Sequence, residues 1–71
     1  SFKARYNRGK CYLRMKYYEE AVADLQKSVS IKPKHASAHE YLAEAYRFVG
    51  EEELAQQHQD IADSLRKNRN I

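Results

Sequence analysis

An internal repeat limits what this chain can fold into more than any other feature. A shift of 34 residues aligns five identical pairs. The pairs are Ala4 and Ala38, Tyr12 and Tyr46, Glu19 and Glu53, Ala21 and Ala55, and Ser30 and Ser64. A period of this length is typical of a small supersecondary unit that buries its apolar face only by stacking against a neighbouring copy.

The interruptions of the apolar pattern predict that each copy is a pair of helices. Pro33 and Gly50 lie where the periodicity breaks, and between the breaks apolar residues recur at spacings of three and four. Gly50 follows its helix as a C-cap residue would. We therefore predict an all-α fold with helices at about 2–14, 17–31, 36–48 and 51–69.

Composition restricts the class of protein further. The 71 residues are 42% hydrophobic and 32% charged with a net charge of +3, which indicates a folded, soluble chain. There is no apolar run of the roughly 18 residues that a membrane span needs, and no leader segment is recognisable, so we expect a cytoplasmic protein without a membrane partner. The single cysteine, Cys11, excludes an internal disulfide and is interpreted as a small packing residue.

The repeat resembles the tetratricopeptide repeat family. Gly9, Tyr12, Ala21 and Pro33 fall where that family places its small residue, tyrosine, alanine and closing proline, and "YYEEAVADLQKSVSIKP" resembles its second helix. The second copy keeps matching residues at Leu42, Ala43, Tyr46, Gly50, Ala55 and Ala62. The resemblance implies one domain over 1–71, with repeats at 2–35 and 36–69 stacked as a short right-handed superhelix. It also implies that the chain is a fragment of a longer repeat protein.

Gly9 is explained by packing within this family fold, since a small residue lets the two helices of a repeat approach closely. We expect its contact to be Ala21. Several positions depart from the family pattern and are expected to pack more loosely: Arg5 and His39 replace an aromatic residue, and Arg8 replaces a leucine. The last helix has Gln59 at a large apolar site and Lys67 at the proline site, which favours a role as an end cap.

Catalytic and metal-binding chemistry finds little support in the sequence. His35 and His39 are four residues apart with Glu40 beside them, but no further ligands stand at a recognisable spacing. No nucleophile, phosphate-loop or metalloprotease motif is present. We therefore predict a protein that is not an enzyme and that has no metal and no cofactor.

The family resemblance implies a peptide-binding face. In tetratricopeptide repeats the first helix of each repeat lines a concave groove, and ligand contacts fall at fixed repeat positions. Carried onto this chain, and with the neighbouring Asn7 included, the predicted site comprises Lys3, Tyr6, Asn7, Lys10 and Arg14 in the first repeat and Glu40, Glu44 and Arg47 in the second, with Ser37 nearby. This groove is basic at one end and acidic at the other, so the expected partner is an extended peptide of mixed charge with an acidic segment.

One subtype of the family binds a chaperone's C-terminal carboxylate, and this co-chaperone function fits the chain only in part. Lys3 and Asn7 are suitable residue types, but the family draws them from different repeats, and Glu40 and Glu44 repel a carboxylate.

Two alternatives come from other classes of function. Two repeats are fewer than such arrays usually contain, so the chain is expected to pair with a copy as a homo-oligomer if it is not part of a longer array, with Val22 and Val29 near the open end. Six cations in the first sixteen residues also suggest nucleic-acid binding. Acidic residues in the last helix interrupt any basic track, so we predict no nucleic-acid partner.

Overall fold

The computed structural model of this chain describes residues 1–68 and contains four α-helices. The predicted all-α class and the two helical hairpins are confirmed. The observed bounds differ from the predicted ones by one residue at two helix starts, and the predicted end of the last helix, residue 69, lies outside the described residues. The helices are α1 at Phe2–Arg14, α2 at Tyr18–Ile31, α3 at Ala36–Phe48 and α4 at Glu52–Asn68.

Side chains cap the first helix of each hairpin. The Oγ of Ser1 accepts from the Ala4 amide at 3.3 Å at the start of α1. The Nδ1 of His35 accepts from the Ala38 amide at 3.2 Å at the start of α3. Each cap satisfies a backbone N–H that has no partner within its own helix.

The two hairpin turns have the same geometry although their residues differ. Lys16 and Gly50, which are 34 positions apart, both have positive φ, at 66° and 85°. Each donates to a carbonyl three residues earlier, and the next amide donates to a carbonyl five residues earlier. This is the Schellman arrangement that ends many helices. Glycine accepts a positive φ freely, whereas lysine there is strained.

Packing places the helices in two layers. α2 packs against both α1 and α3, α4 packs on α3, and α1 touches α3 along an inner layer. Over residues 1–68, no Cα of α2 comes within 8 Å of a Cα of α4, which leaves a gap on the outer side. The buried core comprises Ala21, Leu25, Leu42, Ala45, Tyr46 and Ala55.

Gly9 lies at the closest approach of α1 to α2. A Cβ built at Gly9 would stand 2.7 Å from the Cγ of Leu25 and 2.9 Å from its Cδ2. The predicted close approach is confirmed, and the atoms nearest to that Cβ belong to Leu25; Ala21, the expected partner, lies one turn earlier on α2 and is fully buried. The second hairpin has Ala43 and Gln59 at the two corresponding positions.

A buried carboxylate explains two of the departures from the family pattern. The side chain of Asp24 is only 4% exposed and accepts from the Nε and Nη2 of Arg8 at 2.7 and 2.8 Å. Arg5 lies 3.6 Å from the same carboxylate. The Arg8 guanidinium lowers the pKa of Asp24 below its usual value. Ion pairs thus take the place of apolar packing at these two positions, where the arginine side chains are 43% and 57% exposed.

Candidate functional site

The inner layer forms a small cavity between α1 and α3. Its volume is about 220 Å³, and it is lined by Lys10, Leu13, Arg14, Tyr41 and Glu44. Lys10 and Arg14 are four residues apart and so face the same side of α1. Three of the residues predicted for the peptide site, Lys10, Arg14 and Glu44, therefore meet in one place.

A second cavity continues this surface along α3. It has a volume of about 360 Å³ and is lined by Glu44, Arg47 and Phe48. Because Glu44 lines both cavities, the two form one continuous surface, which we call the inner groove. Its charges alternate, with two cations on α1, an anion on α3 and a cation at the end of α3.

The ring of Tyr6 packs against two residues that line the inner groove. Its ring lies 5.9 Å from that of Tyr41, and the Nζ of Lys10 stands over both rings at 4.9 and 5.4 Å. Phe2 and His35 pack on the other side of Tyr6, at centroid distances of 5.2 and 5.0 Å. Burial raises the pKa of Tyr6, so the phenol stays neutral. The two tyrosines thus position the Lys10 ammonium by cation–π attraction.

Glu40 is already bound by a residue that sequence reasoning did not select. Arg66 on α4 donates to both carboxylate oxygens of Glu40 at 2.9 and 3.0 Å, and to the Ser37 hydroxyl at 3.3 Å. The Arg66 guanidinium lowers the pKa of Glu40, so the pair is fully ionised at neutral pH. The charge of Glu40 is therefore offset, and the predicted acidic end of the groove is reduced to Glu44. The role of Arg66 is visible only in the tertiary structure, where α4 packs on α3 and brings Arg66 to Glu40.

The other predicted residues lie at the margins. Lys3 and Asn7 are exposed on α1 and line neither cavity of the inner groove. Cys11 is exposed, which contradicts its interpretation as a packing residue.

His39 and His58 form a hydrogen-bonded pair that the sequence did not suggest. The Nε2 of His39 donates to the Pro33 carbonyl at 2.7 Å, because a carbonyl oxygen can only accept. In the neutral tautomer that carries its proton on Nε2, the Nδ1 of His39 accepts, and the Nδ1 of His58 donates to it across 2.9 Å. Burial, with His39 as a second cause, lowers the pKa of His58.

The histidine pair has the geometry of a packing contact. Its two δ-nitrogens are hydrogen-bonded to each other. His35, which the sequence places four residues from His39 as a second possible metal ligand, caps α3 instead. Within residues 1–68 no group of three or more histidine, cysteine, aspartate or glutamate side chains could hold a metal ion.

Comparison with known proteins agrees with this architecture. A family model described as tetratricopeptide repeat matches residues 2–35, which is the whole first hairpin. The first hairpin is therefore a tetratricopeptide repeat, and a second helical hairpin follows it at the same period of 34 residues. No curated protein matches it. Among the helices of residues 1–68, none is long and apolar enough to cross a membrane.

Proposed function

We propose that the chain is a non-catalytic protein-interaction module whose inner groove binds an extended segment of a partner protein. Repeats of this family generally act as interaction modules, and the groove lies on the first helices of the two hairpins. A ligand carboxylate would lie between Lys10 and Arg14. An apolar ligand side chain would rest on Leu13 and Tyr41, and a ligand cation would face Glu44.

The distribution of paired and unpaired charges carries this proposal. Arg5 and Arg8 are used by Asp24. Lys10 and Arg14, by contrast, form no salt bridge with any carboxylate of residues 1–68. The cations that remain available on α1 therefore include the two that line the cavity. Unpaired charges beside an apolar floor favour a ligand of complementary charge.

The same charges indicate which ligands fit. Glu44 stands beside the two cations, so a run of acids would meet repulsion from it. A segment with one acid followed by an apolar residue and a base matches all three charges. A terminal-carboxylate clamp is disfavoured, because Lys3 and Asn7 do not line the groove. Nucleic acid is also disfavoured, because Glu44 on α3 lies beside the cations of α1 and would repel a phosphate.

A peptide titration tests the proposal. The probe is a blocked seven-residue peptide with a central Asp-Leu-Lys, followed by amide chemical shifts of the ¹⁵N-labelled chain. We expect shifts near Leu13, Tyr41 and Glu44. Lys10→Glu and Arg14→Glu should each weaken binding by on the order of tenfold, because each replaces an attraction by a repulsion.

Lys27→Glu is the matched control, since Lys27 is an exposed cation on α2 that lines neither cavity of the inner groove. It removes the same charge from the chain and should leave the affinity unchanged. Equal losses in all three variants, or shifts spread over the whole surface, would show that only net charge is being sensed and would refute the proposal.

Self-association stays a prediction. Val22 and Val29 are half-buried against the core, while Ile31 on the same helix is 44% exposed. Sedimentation over a range of concentrations measures it directly, and a constant mass of one chain would contradict it.

A further inference from the structure

The outer side of the molecule carries further cavities, which meet the inner groove at Phe48. Because the backbones of α2 and α4 do not come close over residues 1–68, a gap of about 510 Å³ remains between them. Its volume is within the range of sites that bind ligands. Its lining comprises Glu19, Val22, Ala23, Gln26, Tyr46, Val49, Glu51 and Leu54.

Exposed aromatic side chains extend this gap around the turn of the second hairpin. Phe48 and Tyr17 are 57% and 54% exposed, and the Phe48 ring stacks on that of Tyr18 at 4.3 Å. A further cavity of about 480 Å³ lies against these three rings. It shares Glu19 and Val49 with the gap, so the two form one surface, which we call the outer groove. Large aromatic residues contribute strongly to protein interfaces.

The charges of the outer groove are mostly negative. Glu19, Glu20 and Glu51 line it, and Lys16 is the one cation among its lining residues. None of the three glutamates forms a salt bridge within residues 1–68. Each lies at or near the start of a helix, where the helix dipole stabilises the ionised carboxylate. The surface is therefore apolar in its centre and anionic at one end.

We propose that the outer groove binds a partner-protein segment in which a large apolar side chain is flanked by lysine or arginine. The apolar side chain would pack on Val22, Val49 and Leu54. A flanking cation would lie between Glu19 on α2 and Glu51, which directly precedes α4. Lys10 and Arg14 in the inner groove favour a ligand anion, whereas the glutamates of the outer groove favour a ligand cation. The two surfaces would therefore bind different segments.

The geometry also limits the length of the bound segment. Glu19 and Gln26 line the gap from points seven residues apart on α2, which is about 10 Å along a helix. An extended chain advances about 3.3 Å per residue, so the gap holds about three residues. At the far end the Gln26 side-chain amide donates to the Tyr46 hydroxyl at 2.7 Å, so these polar groups are already satisfied. Selectivity thus comes from the apolar floor and the anionic end.

Two blocked hexapeptides test the proposal: one has a central Leu-Leu flanked by arginines, and the other has glutamates in place of the arginines. We expect only the arginine peptide to shift the amides of Val22, Val49 and Leu54. Glu19→Lys and Glu51→Lys should each weaken its binding roughly five- to tenfold. Glu53→Lys, at an exposed acid in the same turn of α4 that does not line the outer groove, should have no effect.

Several results would overturn the proposal. These are an equal response to the glutamate peptide, an effect of Glu53→Lys as large as that of Glu51→Lys, or no shift at all with the arginine peptide. Self-association that Tyr17→Ala abolishes would assign the surface to a second copy instead, since Tyr17 is exposed and lines the outer groove but neither cavity of the inner groove. Lys10→Glu alters the inner groove and should leave the binding of the arginine peptide unchanged. The proposal for the outer groove can therefore be refuted without refuting the one for the inner groove, and the reverse.

Discussion

Replacing Gly9 by alanine tests the close contact between α1 and α2. Alanine normally stabilises a helix interior relative to glycine by about 1 kcal/mol. Here the added Cβ would stand 2.7 Å from the Cγ of Leu25, a side chain that is fully buried. Because Cγ is the branch point of the leucine, it cannot move without displacing both methyl groups.

The two effects have opposite signs, and packing should be the larger. Forcing an extra carbon into a filled core costs about 1–3 kcal/mol. With the middle of that range and the helix gain of about 1 kcal/mol, Gly9→Ala should destabilise the chain by about 1 kcal/mol. For a domain of this size, that lowers Tm by about 4–8 °C. Gly9→Leu should cost several times more, since three further carbons must fit.

Urea denaturation followed by circular dichroism measures this difference as a shift in the midpoint at constant slope. Asn7→Ala and Asn7→Gly provide the calibration, because Asn7 is exposed in the same helix and the difference between them gives the helix effect alone. Adding that difference to the loss in Gly9→Ala isolates the packing cost. Two results would refute the reasoning. One is a Gly9→Ala chain that is as stable as the parent or more stable, and the other is a Gly9→Leu chain that is as stable as the Gly9→Ala chain.

Three other features of the hairpins affect stability. Lys16→Gly should raise the free energy of unfolding by about 1 kcal/mol in a urea titration, and Gly50→Ala should lower it similarly, because both positions have positive φ. Arg8→Gln should lower Tm at pH 7. It should also reduce the loss of stability on acidification, because the lowered pKa of Asp24 stabilises the fold above about pH 4 and this is lost as pH falls through the folded-state pKa. The lowered pKa of His58 means that the unfolded chain binds the proton first, so stability should fall as pH drops below about 6.5 and a His58→Gln chain should lack this step.

The hairpins could be predicted because their signals are local. Pro33 and Gly50 mark breaks that any helix must respect, and the spacing of apolar residues gives each helix a buried side. The turn at Lys16 shows the limit of this reasoning. A lysine does not indicate a positive φ, yet Lys16 has one, because the turn ends its helix with its own pair of backbone hydrogen bonds. The turn at Gly50 has the same pair.

The candidate site was harder to predict, because its charges depend on partners that are distant in sequence. Lys10, Arg14 and Glu44 follow from repeat position and do line one cavity. Glu40 was assigned to the same surface, but its charge is offset by Arg66, which is 26 residues away. Sequence periodicity places a residue on a helix face and says nothing about which ion pair it forms there.

By itself, then, the sequence determined the helices, the period and the family of the first hairpin, because these depend on local propensity and on a pattern repeated along the chain. The tertiary structure decided which charges remain available. Asp24 is buried between two arginines, His39 donates to Pro33, and the gap between α2 and α4 exists because the backbones of those two helices stay apart over residues 1–68. Each of these depends on distances between helices, and such distances are set by the packing of whole side chains such as Leu25 against Gly9.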